Sequence, residues 1–281
     1  MSEVDPLLID ATTKIFEDLS DPQTLNSAKN DDWRFALWSA LEESGLTLAW
    51  VPSKNGGSGA TLADGFSILE VAGKFAVPIP LGETLLAGWL LSQGEINSPA
   101  GMLTIAPVRP RDKIELTAEN TLTGSVFGIP FASSVANIAV IANKDDRLYI
   151  ALVSSKDCTI TSKAGLSGDS RDTITFLNTQ PIQVSPAPKN MSTQDLHLMG
   201  ATIRSMQISG ALQSILKLAT DYAQERVAFE KQISKFQAVQ HNLAKLANET
   251  AVAIAAAGSA MDTINDLDTF IKKNESHFKA L

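Results

Sequence analysis

The sequence has 281 residues, of which 44% are apolar and 19% charged, a composition ordinary for a globular protein and long enough to bury more than one core. A formal charge of −8 and an isoelectric point near 4.9 exclude the broad cationic surface that nucleic-acid binding needs. No stretch approaches the ~18 uninterrupted apolar residues of a membrane-spanning helix. Cys158 is the single cysteine, which excludes an intrachain disulfide. With an acidic N-terminus that lacks a signal-type apolar segment, this predicts a cytoplasmic protein.

The first part of the chain is predicted to be helical. From residue 5 to about residue 93, apolar side chains recur mostly at spacings of three and four. Breaks at Asp21-Pro22, at residues 52–59 and at residues 78–80 divide this part into about four helices. The glycine-rich segment 56–59 lacks the Gly-Lys-Ser/Thr ending of a P-loop and follows no predicted strand, so we expect an interhelical loop there.

The middle of the chain is predicted to form a small antiparallel barrel or sandwich. Short runs rich in β-branched residues are separated by turn residues, which is typical of such all-β units. The predicted strands are residues 102–106, 114–117, 138–141, 148–153 and 173–176.

Helical periodicity returns after the proline-containing linker 185–190. One long helix is predicted from the capping signal Ser192-x-x-Asp195 to Arg226, and a second begins at the capping box Ser234-x-x-Gln237. A third helix is predicted for residues 267–281, and because it ends without a capping glycine we expect the C-terminal domain to be incomplete. The predicted fold is therefore α+β, with an N-terminal helical domain (1–98), a middle β domain (99–186) and a C-terminal long-helix bundle (187–281).

Two motif searches give negative results. His197, His241 and His277 are about 40 residues apart and have no helical pairing or cysteine partners, so no metal site is predicted. Ser214-x-x-Lys217 matches the first element of a serine–lysine nucleophile but lacks its companion motifs, and we expect a solvated helix face.

The turn between the two long helices is the strongest candidate for a binding site. Arg226-x-x-Phe229 opens into Phe236-Gln237, so that an arginine and two aromatic residues flank a helix N-terminus. A guanidinium fork suits a diphosphate, and a helix N-terminus attracts anions. Purely structural roles compete: Arg226 could stabilise the helix dipole or pair with Glu225 or Asp221, and Gln237 could be the capping partner of Ser234.

The order helix, β, helix and this turn resemble the acyl-CoA dehydrogenase family, whose turn usually reads Arg-x-x-Phe-Gly-x-x-Ile-x-x-Phe-Gln. Residues 51–59, reading Val-Pro-x-x-x-Gly-Gly-x-Gly, and residues 122–142 are also similar to the family. The resemblance implies FAD bound by Arg226, Phe229, Phe236 and Gln237, commonly the FAD of a neighbouring subunit. It further implies an acyl-CoA substrate, electron transfer to an electron-transferring flavoprotein, and a homo- or hetero-oligomer.

The chain departs from the family pattern in the turn and in the β domain. Glu230 stands where the family prefers glycine, which places a carboxylate near the expected diphosphate. The family's glycine-rich loop over flavin and substrate, Thr-Glu-Pro-Gly-x-Gly-Ser-Asp, is replaced by residues 104–112. Arg109 and Arg111 in this loop could meet CoA phosphates or could simply be solvated.

A catalytic base is not identified. The family's glutamate usually lies on a loop after a later helix that this sequence does not contain, and the minority position falls near Gly200. We do not assign the neighbouring Asp195 as the base. Either the chain is truncated, or it resembles subunits of the heteromeric acyl-CoA dehydrogenases of steroid degradation, which implies a bulky acyl-CoA. The alternative function is a non-catalytic subunit that completes a partner's FAD site.

Overall fold

The computed structural model describes residues 4–28, 32–166 and 169–279, with side chains for all of these except residue 24 and residues 267–279. Two compact units are present. The first comprises residues 1–33, 62–77 and 202–281, and the second comprises residues 34–61 and 78–201. The predicted division into three domains stays a prediction.

The first unit begins with α1 (Pro6–Leu19) and α2 (Pro22–Ser27), and α1 packs on α4 (Leu62–Phe75). Asp5 caps α1 by accepting a hydrogen bond from the Leu7 amide at 2.9 Å. The rings of Phe16 and Phe75 stack across the two helices, with centroids 5.7 Å apart. Phe16 is fully buried, so this contact is part of the core of the unit.

Helix α4 also touches the long helix α6 (Thr193–Glu225) at two glycines. An ideal Cβ on Gly73 would lie 2.2 Å from the carbonyl oxygen of Gln207, and one on Gly210 would lie 1.9 Å from that of Glu70. Real Cβ atoms do not approach backbone oxygens this closely. The absence of side chains at these two positions therefore allows the helix backbones to meet.

Hydrogen bonds beside the glycines hold the same crossing. One carboxylate oxygen of Glu70 accepts from the Ser209 hydroxyl at 2.9 Å and from the Gln213 amide at 2.6 Å. The Ser214 hydroxyl donates to the carbonyl of Lys74 at 2.7 Å. Ser214 therefore faces α4, and the prediction that it lies on a solvated helix face is wrong.

The C-terminal helix α7 (Gln237–Lys279) is 43 residues long and contacts α4. The prediction of a separate third helix over residues 267–281 is wrong, because α7 continues through residue 279 without a break; residues 280 and 281 lie outside the described residues. No proline or glycine occurs in the sequence after Gly258, so this part of α7 contains no helix-breaking residue.

The second unit contains α3 (Asp32–Glu43) from Arg34 onward, α5 (Leu81–Gln93), an eight-stranded sheet, and the first turns of α6. Short 3-10 turns at Leu46–Leu48 and Ser53–Asn55 precede the glycine-rich segment. Gly57 lies against Val51, whose carbonyl oxygen would be 2.0 Å from a Cβ at that position. The segment thus packs as a tight loop, as predicted. The described residues of the N-terminal part form five α-helices rather than about four, because the short α2 carries too little periodic pattern to be recognised.

The sheet is formed by eight strands in the order β6-β7-β3-β2-β4-β5-β8, with β1 also paired to β4. Most pairs are antiparallel, but β1 and β2 run parallel to β4. The five predicted strands are present, and β3, β6 and β8 are additional. The strands are β1 (Leu103–Ala106), β2 (Glu115–Leu116), β3 (Leu122–Pro130), β4 (Asn137–Lys144), β5 (Arg147–Ser154), β6 (Thr159–Thr161), β7 (Arg171–Thr179) and β8 (Gln183–Pro186).

Strand β4 is the centre of the sheet, because β5 pairs along all of it while β1 and β2 pair with its two ends. The inward side chains form one buried apolar cluster, which includes Leu122, Val126, Ile138, Val140, Ala151, Ile174 and Phe176. The predicted α+β class, with N-terminal helices, a central sheet and long C-terminal helices, is confirmed.

Candidate functional site

The turn after α6 is a small β-hairpin. Its strands are β9 (Val227–Ala228) and β10 (Lys231–Gln232), which pair in antiparallel register. The two residues at the tip, Phe229 and Glu230, have φ angles of +50° and +66°. Positive φ at both central residues is the signature of a type I′ turn, whose twist matches that of a two-residue hairpin. The amide of Ile233 donates to the carbonyl of Arg226 at 2.9 Å and closes the hairpin.

An aromatic and cationic cluster lies beside this hairpin. The rings of Phe229 and Phe236 meet edge to face, with centroids 6.3 Å apart and planes at 81°. The ammonium of Lys231 lies 4.4 Å from the centre of the Phe236 ring. Phe229 is nevertheless 90% exposed, so most of its ring faces solvent. Such an exposed aromatic residue is available to a ligand or partner.

Arg226 forms neither of the ion pairs that the sequence suggested for it. Asp221 pairs with Lys217 at 2.6 Å, and the Arg226 guanidinium has no ion-pair or hydrogen-bond partner among the described residues. The proposed alternative, pairing of Arg226 with Asp221 or Glu225, is therefore not realised. Arg226 is exposed directly after the C-terminus of α6, where a cation is favourable with the helix dipole.

The predicted capping box at the start of α7 is wrong. The helix begins at Gln237, and the residue before it, Phe236, has the extended backbone of an N-cap; Ser234 lies in a 3-10 turn. Gln240, rather than Gln237, reaches back and donates its amide to the Ser234 carbonyl at 3.0 Å. The Gln237 carboxamide is exposed and has no hydrogen-bond partner within the described ranges. Gln237 therefore does not have the helix-capping role that the sequence suggested.

The carboxylate near the start of α6 has a structural role. The Ser192 amide donates to Asp195 Oδ2 at 2.7 Å, and the Asp195 amide donates to the Ser192 hydroxyl at 3.3 Å. This reciprocal pair is the capping box predicted there. Gly200, at the minority position for a base, has no side chain and faces Leu86. Neither residue supplies an identified catalytic base.

In the second unit, the loop before β2 packs on β3 through Arg109. Its guanidinium lies 5.9 Å from the Phe127 ring centre and beside Gly128, where the pairing of β3 with β7 shifts register. Asp112 accepts a hydrogen bond from the Phe127 amide at 2.8 Å. Arg109 is therefore solvent-exposed but also packs against Phe127, whereas Arg111 is simply exposed.

Sequence reasoning missed one residue of the turn, Lys231. Its contact with Phe236 spans five positions and arises only when the hairpin folds. The sequence did carry a signal for this residue. Lys231 follows Phe229 by two residues, and residues 226–237 contain three cations and only one carboxylate.

Comparison with known proteins shows a similarity to acyl-CoA dehydrogenases. The family model described as "Acyl-CoA dehydrogenase, C-terminal domain" matches residues 193–279, which include α6, the hairpin and α7. The chain is also 26% identical over 267 residues to "Acyl-CoA dehydrogenase IpdE2" of Mycolicibacterium smegmatis, covering 94% of this chain and 78% of that protein. Residues 193–279 thus match the acyl-CoA dehydrogenase family, and the chain as a whole is similar to acyl-CoA dehydrogenases.

Solved acyl-CoA dehydrogenase structures share the fold. A variant of the Tcur3481-Tcur3483 steroid ACAD superposes with a TM-score of 0.79 at 22% identity, covering 92% of this chain and 77% of that chain. The ChsE4-ChsE5 complex from Mycobacterium tuberculosis superposes with a TM-score of 0.74 at 20% identity, covering 94% and 81%. Among the described residues, no helix combines the length and the apolar character that crossing a membrane requires.

Proposed function

We propose that this chain is a polypeptide of an FAD-dependent acyl-CoA dehydrogenase that carries out α,β-dehydrogenation of an acyl-CoA. The observation that carries the proposal is the hairpin turn, which lies inside the segment that matches the family model. It presents an exposed phenylalanine, together with a guanidinium and a helix-N-terminal carboxamide that have no partner among the described residues. Arg226, Phe229, Phe236 and Gln237 are the proposed FAD contacts.

The residues present fit a flavin dinucleotide. The guanidinium of Arg226 can bind a diphosphate through two parallel hydrogen bonds, and the Gln237 and Ala238 amides at the start of α7 have no acceptor among the described residues. Gln237 adds a carboxamide that can donate or accept, and Phe229 offers an apolar ring to a flat ligand. The Glu230 carboxylate opposes an anion, but three cations between residues 226 and 237 outnumber it.

FAD, when bound, supplies the acceptor for the hydride that leaves the β carbon of the acyl group. The proton on the α carbon must pass to a base, and this base is not assigned in the chain. The product would be the 2,3-enoyl thioester, and an electron-transferring flavoprotein is the proposed redox partner. The steroid ACAD among the structural neighbours supports a bulky, steroid-derived acyl group as the substrate class.

The second candidate function is a non-catalytic subunit that completes the FAD site of a partner acyl-CoA dehydrogenase subunit. Two observations favour it: Asp195 is used as a helix cap, and Gly200 has no carboxylate. The ChsE4-ChsE5 complex shows that a structural neighbour pairs two different chains. An exposed apolar stripe along α6, formed by Ile208, Ile215, Leu218 and Tyr222, supports assembly into a homo- or hetero-oligomer.

The proposed FAD site is tested by replacing Arg226 with alanine. We expect Arg226→Ala to lower the flavin content of the purified protein without changing its thermal unfolding, because the side chain is exposed. Lys245→Ala, which removes an exposed cation further along α7, is the matched control and is expected to keep full flavin. Unchanged flavin content in Arg226→Ala would remove the assignment of this turn.

The two candidate functions are separated by purifying the chain alone and after co-expression with an adjacent homologue. Flavin absorption together with acyl-CoA oxidation by the chain alone supports the catalytic function. Flavin that appears only in the co-expressed complex, with activity lost when the partner's base is removed, supports the subunit function. A cytoplasmic location, proposed because the sequence has a single cysteine, is checked by cell fractionation.

A further inference from the structure

The hairpin contains a cation that the proposed FAD contacts do not include. The Lys231 ammonium lies 4.4 Å from the centre of the Phe236 ring and has no carboxylate partner among the described residues. Its sequence neighbour Glu230 therefore forms no ion pair with it. An ammonium over an aromatic face is attracted by the ring quadrupole, which restricts a side chain that is otherwise among the most mobile.

The contact also places Lys231 within the site. Phe236 directly precedes α7, and its ring contacts the Phe229 ring edge to face and lies under the Lys231 ammonium. An ammonium has three hydrogen-bond donors, and the ring does not consume them as a carboxylate would. Lys231 is exposed, so these donors remain open to an anion from solvent.

We propose that Lys231, held against the Phe236 ring, is a second anion-binding residue of this turn and contacts the diphosphate of the dinucleotide together with Arg226. The inference rests on the proposed FAD site. It explains how the turn binds an anion although Glu230 replaces the glycine of the family pattern: Lys231 offsets that carboxylate. Arg226 provides planar recognition, and Lys231 provides a point charge.

The test uses the flavin-free form of the protein, or of its co-expressed complex, titrated with FAD and with riboflavin, which has no phosphate. Lys231→Met keeps an apolar stem against Phe236 and removes the charge, whereas Lys231→Arg restores it. Lys235→Met is the matched control, because Lys235 is an exposed cation of the adjacent 3-10 turn.

We expect Lys231→Met to weaken FAD binding by about tenfold or more, the loss typical of one charge-assisted hydrogen bond, with no change in riboflavin binding. Lys231→Arg should recover most of the affinity, and Lys235→Met should have a clearly smaller effect. Wild-type affinity in Lys231→Met, an equal loss for riboflavin, or an equal loss in Lys235→Met would each overturn the role of Lys231 while leaving the FAD site intact. No FAD binding by the wild-type protein or complex would overturn the proposed function and this inference together.

Discussion

The main-chain oxygen of Glu70 lies where a side chain at Gly210 would begin, 1.9 Å from the ideal Cβ position. The Glu70 side chain also accepts hydrogen bonds from Ser209 and Gln213, on either side of that glycine along α6. One residue of α4 thus fixes α6 by its backbone and by its carboxylate. The contact holds the helix that leads to the candidate site.

Gly210→Ala should therefore destabilise the protein. The added methyl group meets backbone atoms that cannot rotate away, so we expect a loss of about 1–3 kcal/mol in the free energy of unfolding, as for other overpacked contacts. Urea denaturation measures the loss. Gly258→Ala is the control, because nothing lies within 4 Å of its ideal Cβ and it lies inside α7. This variant should gain up to about 1 kcal/mol from helix propensity. Equal stability of the two variants would contradict the tight crossing.

Glu230→Gly should stabilise the hairpin. Glu230 has a φ of +66°, and a left-handed conformation costs a residue with a side chain about 1–2 kcal/mol, partly offset by the larger unfolded-state entropy of glycine. We expect a net gain of about 0.5–1 kcal/mol in urea denaturation. Glu230→Ala removes the same carboxylate but keeps a Cβ, so it should not gain this stability. If both variants are equally stable, the backbone conformation of residue 230 is not the source of the stability gain.

Asp172→Asn should destabilise the β sheet in a pH-dependent way. Asp172 is fully buried, and burial raises the pKa of its carboxyl, but hydrogen bonds from the Ser133 and Lys163 amides and the Ser170 hydroxyl outweigh burial and lower that pKa. Because the folded-state pKa is lowered, the carboxylate stabilises the fold fully above the ordinary value of about 3.9, and this stability is lost as the pH falls through the folded-state pKa.

At neutral pH we expect Asp172→Asn to lose about 1–3 kcal/mol, since an amide nitrogen replaces an acceptor that faces donors. The gap between the wild-type and variant denaturation midpoints should narrow below about pH 4. The control is Glu119→Gln, in an exposed turn. It is expected to have the wild-type denaturation midpoint at neutral and at acidic pH. A gap that is constant from neutral pH to acid would show that the charge of Asp172 is not involved.

The Cys158 thiol should react slowly with alkylating reagents. Burial, and to a lesser degree the charge of Asp157, raise its pKa to about 11. Only roughly one thiol in a thousand is then ionised at pH 8, and the thiolate is the reactive form. The rate with iodoacetamide should rise steadily up to about pH 11, and Asp157→Asn should increase it by a small factor. A rate that levels off near pH 8.5, as for a free thiol, would contradict this environment.

Much of the fold could be predicted from the sequence, because apolar periodicity follows directly from which face of an element is buried. The order helix, β, helix and the capping box at Ser192 and Asp195 were found in this way. Strand β3 was missed because Gly124, Gly128 and Pro130 look like strand breakers. In the structure, Gly128 instead has a φ of +72° at an irregularity in β3, and the residues on either side of it, Phe127 and Ile129, both pair with β7.

The candidate site could be predicted in part. Arg226, Phe229, Phe236 and Gln237 stand out as residue types beside a turn, and their contacts with FAD stay a prediction. The contact of Lys231 with Phe236 could not be predicted, because it depends on a two-residue hairpin whose tip residues are not the usual glycine or asparagine. The capping role given to Gln237 failed because the helix begins later than the Ser-x-x-Gln spacing suggested.

The glycine crossing has a consequence for how this region can vary in length. Gly210 is fixed on α4, and α6 continues from it to Glu225 without a break. One inserted or deleted residue in that interval would turn everything beyond it by about 100° around the helix axis and shift it by ~1.5 Å along it. Arg226 and the hairpin would then face another direction although every contact at the crossing remained. A substitution between Gly210 and Glu225 changes one side chain, whereas the insertion or deletion of one residue there changes the direction in which the whole hairpin points.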